Sequence, residues 1–265
     1  MRDALKRHWP EYLMEATGLG IFMVSAAAFT IFLYHPASPV VRTLPDEFVR
    51  RILVGLAMGL TAIGIIYSPW GKQSGAHLNP AVTLTFFRLG KVAPWDAVFY
   101  VFAQFVGGVA GVALVAVAAG NMLAHPSVNY VATVPGSSGT TVAFLAEVLI
   151  SFLLMTVVLA VSNKKQIAHF TGLVAGLCIA LFITFESPLS GMSMNPARTF
   201  GSAFIPHLWS SMWIYFIAPP AGMLLAGILY SKLKHNVGCA KLHHQNQLRC
   251  IFCEYQKAKS KAFTR

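Results

Sequence analysis

The sequence predicts an all-α membrane protein in which six transmembrane helices and two half-helices form an inverted repeat. Three observations support this fold class. Hydrophobic residues make up 56% of the 265 residues and charged residues only 11%, whereas soluble globular chains carry about 25% charged residues. Six apolar stretches have about the 20 residues that a membrane-spanning helix needs. Two shorter apolar segments each begin with Asn-Pro-Ala.

The six predicted spans form one membrane domain over residues 11–232, with a short tail at 1–10. A basic tail that contains Cys and His follows at 233–265. The spans are 12–34, 50–68, 96–119, 141–162, 168–186 and 211–231. The basic start of the chain runs into the first span without a small-residue cleavage site, so we expect this span to be retained rather than removed as a signal peptide.

The two short apolar segments, 78–90 and 194–205, predict half-helices rather than spans. Proline is favoured in the first turn of a helix, where its missing N–H is not needed. The two opening motifs consist of Asn79, Pro80, Ala81, Asn195, Pro196 and Ala197. A half-helix within a bilayer must have its free end buried in protein or facing water. The segments therefore predict an internal cavity.

The order of elements repeats, with one copy over about 11–120 and the other over about 141–232. SGAHLNPAVT in the first copy matches SGMSMNPART in the second, and Glu15 and Glu147 occupy the same place in spans one and four. Each copy holds three spans, an odd number, so the two copies must insert in opposite orientations. Functional groups of such inverted repeats meet near the membrane midplane.

The distribution of positive charge predicts the orientation. With both termini inside, sixteen of the twenty Lys and Arg residues lie on the inner side, and the long connection 120–140 carries none. The positive-inside rule then places both termini in the cytoplasm, in a plasma membrane or a bacterial inner membrane. Because the formal charge of +11 is concentrated at the chain ends, we expect a membrane protein and not a nucleic-acid-binding protein. The spans hold no nucleophile–base pair or metal-ligand set that would indicate an enzyme.

Two opposed half-helices would create an unusual environment at the midplane. Each directs its N-terminus, about half a positive charge, towards the centre, where the amides of Asn79 and Asn195 can donate hydrogen bonds. Backbone carbonyl groups of the preceding segments can accept hydrogen bonds from a passing molecule. The predicted carbonyl residues are Gly75, Ala76, His77, Gly191, Met192 and Ser193. Water or a hydroxyl group exchanges hydrogen bonds there easily, whereas a cation is repelled.

Two Asn-Pro-Ala motifs, each preceded by Ser-Gly in opposite repeats, resemble the aquaporin, or major intrinsic protein, family over about residues 10–232. The resemblance implies a right-handed six-helix bundle, a homotetramer and a separate pore through each subunit, without a cofactor. It also implies that Glu15 and Glu147 accept backbone N–H groups of the loops that carry Asn79 and Asn195. The alternative for these acids is proton coupling, as in a secondary transporter.

Arg198 lies three residues after Asn195, about one helical turn along the same face. An arginine at membrane depth is energetically costly and usually functional, although it can instead cap a helix or form an ion pair in a loop. By resemblance, Arg198 is the arginine of the outer selectivity filter, and Met58, Ile183 and Met192 are the other filter positions. The alternative for the methionines is packing between helices.

The filter departs from the family's usual patterns. Narrow water channels place an aromatic ring and a histidine opposite the arginine, and glycerol facilitators have an Asp where this chain has Thr199. Tyr215-Phe216 resembles the aromatic pair of water channels. Water, glycerol-like polyols, hydrogen peroxide and ammonia therefore all remain candidate substrates, and a glycerol-type facilitator with little water flux is the main alternative.

Two further features leave alternatives open. His77 either lines the inner vestibule passively or acts in pH gating. The tail carries metal-capable side chains, at Cys239, His243, His244, Cys250 and Cys253. Zinc binding or redox control is one interpretation, and a disordered tail that contacts anionic lipid is the default expectation. We expect no disulfides in a cytosolic tail.

Overall fold

The computed structural model describes residues 1–233, 236–244, 247 and 249–263. Six helices are long and apolar enough to cross a membrane. They are Arg2–Tyr34, Glu47–Tyr67, Pro94–Ala119, Gly139–Ser162, Ala168–Phe185 and Met212–Lys232. Every regular element among the described residues is helical. This confirms the predicted fold class.

The first span begins ten residues earlier than predicted, at Arg2 instead of residue 12. Its first turns lie against the start of the third span, where Asp96 accepts hydrogen bonds from His8 Nδ1 at 2.8 Å and from the Tyr12 hydroxyl at 2.6 Å. The predicted tail at 1–10 is therefore a helical extension of the span. Hydropathy did not reveal this extension because the extra turns are polar.

The two half-helices begin where the Asn-Pro-Ala motifs predicted. They cover Pro80–Arg88 and Pro196–Phe204. Asn79 caps the first by accepting the N–H of Ala81 on its Oδ1, and Asn195 caps the second in the same way through Ala197 and Arg198. Each asparagine thus ends a loop and starts a helix.

The repeats pack symmetrically. The first span contacts the third, the fourth contacts the sixth, and the second and fifth meet across the repeats. Glycines allow close approach at these contacts: a Cβ on Gly107 would lie 2.0 Å from the carbonyl oxygen of Ala16, and one on Gly222 would lie 2.3 Å from that of Val148. Backbones therefore meet directly between paired spans.

Short helices connect the spans. They are Pro39–Thr43, Pro69–Ser74, Asn121–Ala124 and Ser187–Ser190, with a 3-10 turn at Asn129–Val131; a second 3-10 turn, Ala168–Phe170, forms the start of the fifth span. Pro69–Ser74 and Ser187–Ser190 precede the two half-helices at equivalent places in the repeats. They lead the chain back into the bundle.

The tail folds back onto the bundle instead of leaving it. Ala240 and Leu242 hydrogen-bond to the loop that precedes the first half-helix, and Gly238 donates to Asn163 at the end of the fourth span. A final helix covers Ile251–Phe263. Val237, Ala240, Leu242 and Phe252 are buried. The default expectation of a disordered tail is therefore wrong for the described part of the tail, because these apolar side chains find a surface to pack on. We call the side of the bundle that carries this tail and the first turns of the chain the terminal face.

Candidate functional site

The two half-helices meet head to head through their asparagines. Asn79 Nδ2 donates to the carbonyl oxygen of Met194 at 2.7 Å, and Asn195 Nδ2 donates to that of Leu78 at 2.7 Å. Each side-chain amide has two N–H donors, so this reciprocal link uses only one of them. Both asparagines line one cavity between the spans. One donor of each amide is left for whatever occupies that cavity.

The loops before the asparagines have the same unusual backbone in both repeats. Gly75, Ala76 and Leu78 have positive φ angles of 100°, 54° and 50°. Their counterparts Gly191, Met192 and Met194 have φ angles of 77°, 49° and 54°. Residues other than glycine rarely adopt this left-handed backbone conformation, which costs them about 1–2 kcal/mol each. Other contacts must therefore stabilise the loops.

Glu15 stabilises the first loop. Its Oε1 accepts the N–H of His77 at 3.0 Å and the Ser74 hydroxyl at 2.8 Å. Its Oε2 accepts the N–H of Leu78 at 2.6 Å and an amide hydrogen of Gln104 at 2.8 Å. Glu15 is fully buried, so these four bonds replace the water that the carboxylate has lost.

Glu147 does the same for the second loop. It accepts the N–H groups of Ser193 and Met194 at 2.6 and 2.8 Å, and the Ser190 hydroxyl at 2.8 Å. In each repeat a tyrosine also anchors the loop: Tyr100 donates to the carbonyl of Ser74, and Tyr215 donates to that of Ser190.

Sequence reasoning missed Tyr100 and Gln104. Both lie in the third span, where hydropathy gives no signal for a hydrogen-bonding role. Their side chains are 0% exposed, and both contact the first loop or the acid that holds it. The signal available in the sequence was that they are polar residues within an apolar span.

A cavity of about 300 Å³ runs past the asparagines and is lined by all four of the predicted filter residues, Met58, Ile183, Met192 and Arg198. Met58 is 2% exposed and Met192 6% exposed. Among the described residues, the buried Nη1 of Arg198 has no hydrogen-bond partner. The guanidinium thus has a free donor at the cavity wall, surrounded by aliphatic and thioether side chains.

The sequence did not predict Tyr34 and Arg51 as lining residues. Both lie at the end of the cavity opposite the terminal face, on the first and second spans. Arg51 also pairs with Glu47 at 3.2 Å. In the sequence Arg51 stands among other charged residues near the first connection between spans, so nothing marked it as a residue of the cavity wall.

Five of the six residues predicted to offer carbonyl groups line the cavity: Ala76, His77, Gly191, Met192 and Ser193. Gly75 does not. Its carbonyl oxygen instead accepts the N–H of Leu242 from the tail at 3.1 Å. This differs from the prediction because the tail covers the loop at that point.

His77 faces the tail as well as the cavity. Its Nε2 donates to the carbonyl oxygen of Ala240 at 2.6 Å, and its Nδ1 accepts from the Thr83 hydroxyl at 3.1 Å. The ring stacks on Phe252 with a centroid distance of 5.4 Å. It is therefore a packed residue at the contact between loop and tail.

Comparison with known proteins places these features in context. A family model described as major intrinsic protein matches residues 5–230. Over 182 residues the chain is 36% identical to a probable NIP-type aquaporin of Nicotiana alata, and this match covers 66% of the chain and 63% of the relative. Over 228 residues it is 33% identical to aquaporin-4 of Rattus norvegicus, with 84% of the chain and 66% of the relative covered. The chain spans less than two thirds of the length of each of these curated relatives.

The fold is also similar to a solved structure. The X-ray structure of the aquaglyceroporin from Plasmodium falciparum superposes with a TM-score of 0.72 at 22% sequence identity, covering 86% of this chain and 97% of that one. At this identity the similarity concerns the fold.

Proposed function

The chain belongs to the major intrinsic protein family, and on that premise we propose that it is a passive channel for water and small neutral solutes. The solutes are of the size of glycerol, hydrogen peroxide or ammonia. Each subunit has its own pore, which is the cavity that Asn79 and Asn195 line. The chain is a multi-pass membrane protein and not an enzyme.

One observation supports the proposal most strongly: two half-helix N-termini point at the same cavity from opposite sides, and each presents a neutral amide. Each amide uses one N–H for the partner loop and keeps one for the cavity. A water molecule that passes accepts from these donors and donates to the carbonyl groups of the loops. Because this exchange replaces the bonds that water loses on leaving bulk solvent, the barrier is low.

Ion exclusion follows from the same arrangement. The two helix N-termini each contribute about half a positive charge at the centre, and Arg198 adds a full charge at the wall. Cations are repelled, and water oriented by the donors on both sides cannot form a continuous proton wire.

The filter composition favours a broad range of neutral permeants. Met58, Ile183 and Met192 offer no hydrogen bond to a passing molecule, and methionine side chains adapt to different shapes. The comparisons are consistent with either class, since they include proteins named aquaporins and an aquaglyceroporin. The alternative is a solute-selective glycerol-type facilitator with little water flux.

A secondary transporter is less consistent with the site. Proton coupling needs a carboxylate that is free to exchange its proton, whereas Glu15 and Glu147 already accept hydrogen bonds from loop donors. Their positions support a scaffold role.

Orientation and assembly are further parts of the proposal. The excess of Lys and Arg on the terminal face favours a cytoplasmic location for both termini, in a plasma membrane or a bacterial inner membrane. The resemblance to the family favours a homotetramer.

Stopped-flow light scattering on proteoliposomes tests the proposed function. Shrinkage after a sucrose shock that is faster than in protein-free vesicles indicates water flux, and re-swelling after glycerol or urea shocks identifies permeant solutes. Flux that saturates and depends on a proton or sodium gradient would support a transporter instead.

A further inference from the structure

The tail brings three of the four cysteines and one histidine together at the terminal face. The Sγ atoms of Cys239 and Cys250 lie 3.5 Å apart, and those of Cys239 and Cys253 lie 3.8 Å apart. His244 Nε2 lies 3.3 Å from the Sγ of Cys253. All four ligand atoms lie within 4.8 Å of one another. The other histidine considered from the sequence, His243, packs against Tyr67 instead.

These distances fit a tetrahedral metal site. The usual distances are about 2.3 Å from zinc to sulfur and about 2.0 Å from zinc to nitrogen. At a tetrahedral angle, two sulfur ligands are then about 3.8 Å apart, and a sulfur and a nitrogen ligand about 3.5 Å apart. A disulfide would bring two Sγ atoms to about 2.05 Å, whereas all four cysteines are free. Three thiolates and an imidazole form a ligand set of structural zinc sites, and Cys250 and Cys253 have the common C-x-x-C spacing.

Lys241 gives an independent indication of negative charge at this place. Its side chain is 2% exposed, and its Nζ donates only to the carbonyl oxygens of Lys72 and Arg249 among its described partners. None of the ion pairs among the described residues includes it, although buried lysines normally have a charged partner. Zinc bound by three thiolates and a neutral imidazole carries one net negative charge. The Nζ of Lys241 contacts the carbonyl oxygen of Arg249, the residue directly before Cys250, so a zinc ion held by the cluster would place this negative charge close to the buried ammonium group.

We propose that Cys239, His244, Cys250 and Cys253 bind one thiophilic divalent cation, zinc by preference. This ion fixes the tail over the mouth of the cavity at the terminal face. Soft thiolate ligands in a tetrahedral set select zinc over the hard cations calcium and magnesium. His244 is exposed, which leaves the ion a path to the site from solvent.

The tail that the ion holds lies directly on the loop before the first half-helix. Leu242 donates its N–H to the carbonyl of Gly75 and its side chain lines the cavity. Ala240 accepts from His77, and Phe252 stacks on the same ring. Leu242 follows Cys239 by three residues, and Phe252 lies between Cys250 and Cys253. An ion at the cluster therefore fixes both segments that cover the loop.

Metal binding and mouth closure are linked. An ion that binds the docked tail better than the released tail shifts the equilibrium towards the docked state. This second part of the inference depends on the proposed channel function, since only a conducting pore has a flux to restrict. Loss of the ion releases Leu242 from the cavity and widens the mouth.

The metal site is tested on the full chain in detergent, without any flux measurement. Mass spectrometry of the elements should find about one zinc per chain, as one tetrahedral site requires. Replacement of the exposed ligand, His244→Ala, should raise the Kd for zinc by at least about 100-fold, because even indirect changes around a metal site weaken binding by about 10–100-fold. Cys178→Ser, which removes the cysteine in the fifth span, is the matched control and should bind zinc like the parent. Absence of zinc, a Cys239–Cys250 disulfide, or unchanged affinity in His244→Ala would overturn the metal site.

Docking of the tail is tested by trypsin cleavage after Lys241, which is buried in the docked tail. Cleavage of a transiently opened segment follows the population of its open state. Zinc removal by a chelator, or His244→Ala, should therefore accelerate cleavage by at least about tenfold, while Cys178→Ser stays protected. An equal cleavage rate with and without zinc would refute the link between the ion and the tail.

Closure of the mouth is tested in proteoliposomes. Chelation should raise water flux through the parent and Cys178→Ser, and leave the already higher flux of His244→Ala unchanged. Flux through the parent that does not respond to chelation would refute closure. If no variant conducts under any condition, the proposed channel function fails, whereas the zinc and trypsin results stand independently.

Discussion

Single buried residues determine whether the two loops keep their strained backbone. Glu15 and Glu147 each accept the N–H groups of the two loop residues that directly precede an asparagine of the Asn-Pro-Ala motifs. Sequence reasoning assigned this contact through resemblance and repeat symmetry alone. The hydrogen-bond geometry gives it a physical basis, because the left-handed loop residues cannot pair within regular structure.

Replacing Glu15 with Gln should destabilise the protein. The glutamine offers one acceptor oxygen and one NH₂ group to four donors, so a buried N–H is left without a partner at a cost of about 1–3 kcal/mol. For a chain of this size we expect the apparent unfolding temperature to fall by roughly 2–10 °C. Scanning fluorimetry in detergent measures it.

The matched control is Glu47→Gln, since the Glu47 side chain is 65% exposed and its pair with Arg51 is an i,i+4 contact that solvent reaches. Such a pair contributes about 0–1 kcal/mol. Equal unfolding temperatures for Glu15→Gln and the parent would contradict the scaffold role.

Replacement of Arg198 tests ion exclusion. Arg198→Ala removes the charge and the unpaired Nη1 donor from the cavity wall, so we expect proton leak to rise by at least about tenfold while water flux stays within about twofold. A pH-sensitive dye inside proteoliposomes measures the leak under a potassium diffusion potential. The exposed Arg42 offers a control through Arg42→Ala, and the same low leak in both variants would argue against a filter at Arg198.

At the scale of helices, the contact between the first and third spans depends on Gly107. An added methyl group there would lie 2.0 Å from the backbone oxygen of Ala16, which cannot move without shifting the span. Gly107→Ala should therefore lower stability by about 1–3 kcal/mol, as overpacking does. Thermal unfolding and the fraction of monodisperse protein on size exclusion both report the loss.

Gly64→Ala is the control for this change. A Cβ at Gly64 meets no described atom within 4 Å, and alanine favours a helix interior over glycine by about 1 kcal/mol. We expect unchanged or slightly higher stability. A similar loss in both variants would show that glycine matters through backbone freedom and not through close contact.

Helix positions divide into those that sequence could predict and those that it could not. The half-helices begin where Asn-Pro-Ala predicts, because an asparagine cap followed by proline is a local signal. The extension at Arg2 and the ordered tail were missed, because their stability comes from distant contacts. Asp96 holds the extension through His8, and the stacking of Phe252 on His77, in the loop before the first half-helix, holds the tail.

For the whole molecule, hydropathy and the repeat were sufficient to predict the architecture, since a bilayer permits few solutions. The cavity wall was predicted only in part. Met58, Ile183, Met192 and Arg198 came from motif alignment, whereas Tyr34, Arg51 and Leu242 reach the cavity through three-dimensional packing. Nothing local in the sequence marks Leu242 as a residue of the mouth.

A pair of tryptophan substitutions in the fifth span tests whether permeants cross through the cavity that Asn79 and Asn195 line. Ile179 lines the cavity, whereas Leu181, two residues on, is 45% exposed on the outer surface of the bundle. The measurement is osmotic water flux in proteoliposomes at equal protein content, in chelator-containing buffer. We expect Ile179→Trp to reduce flux to that of protein-free vesicles while Leu181→Trp conducts like the parent. Undiminished flux in a correctly folded Ile179→Trp would show that permeants take another path.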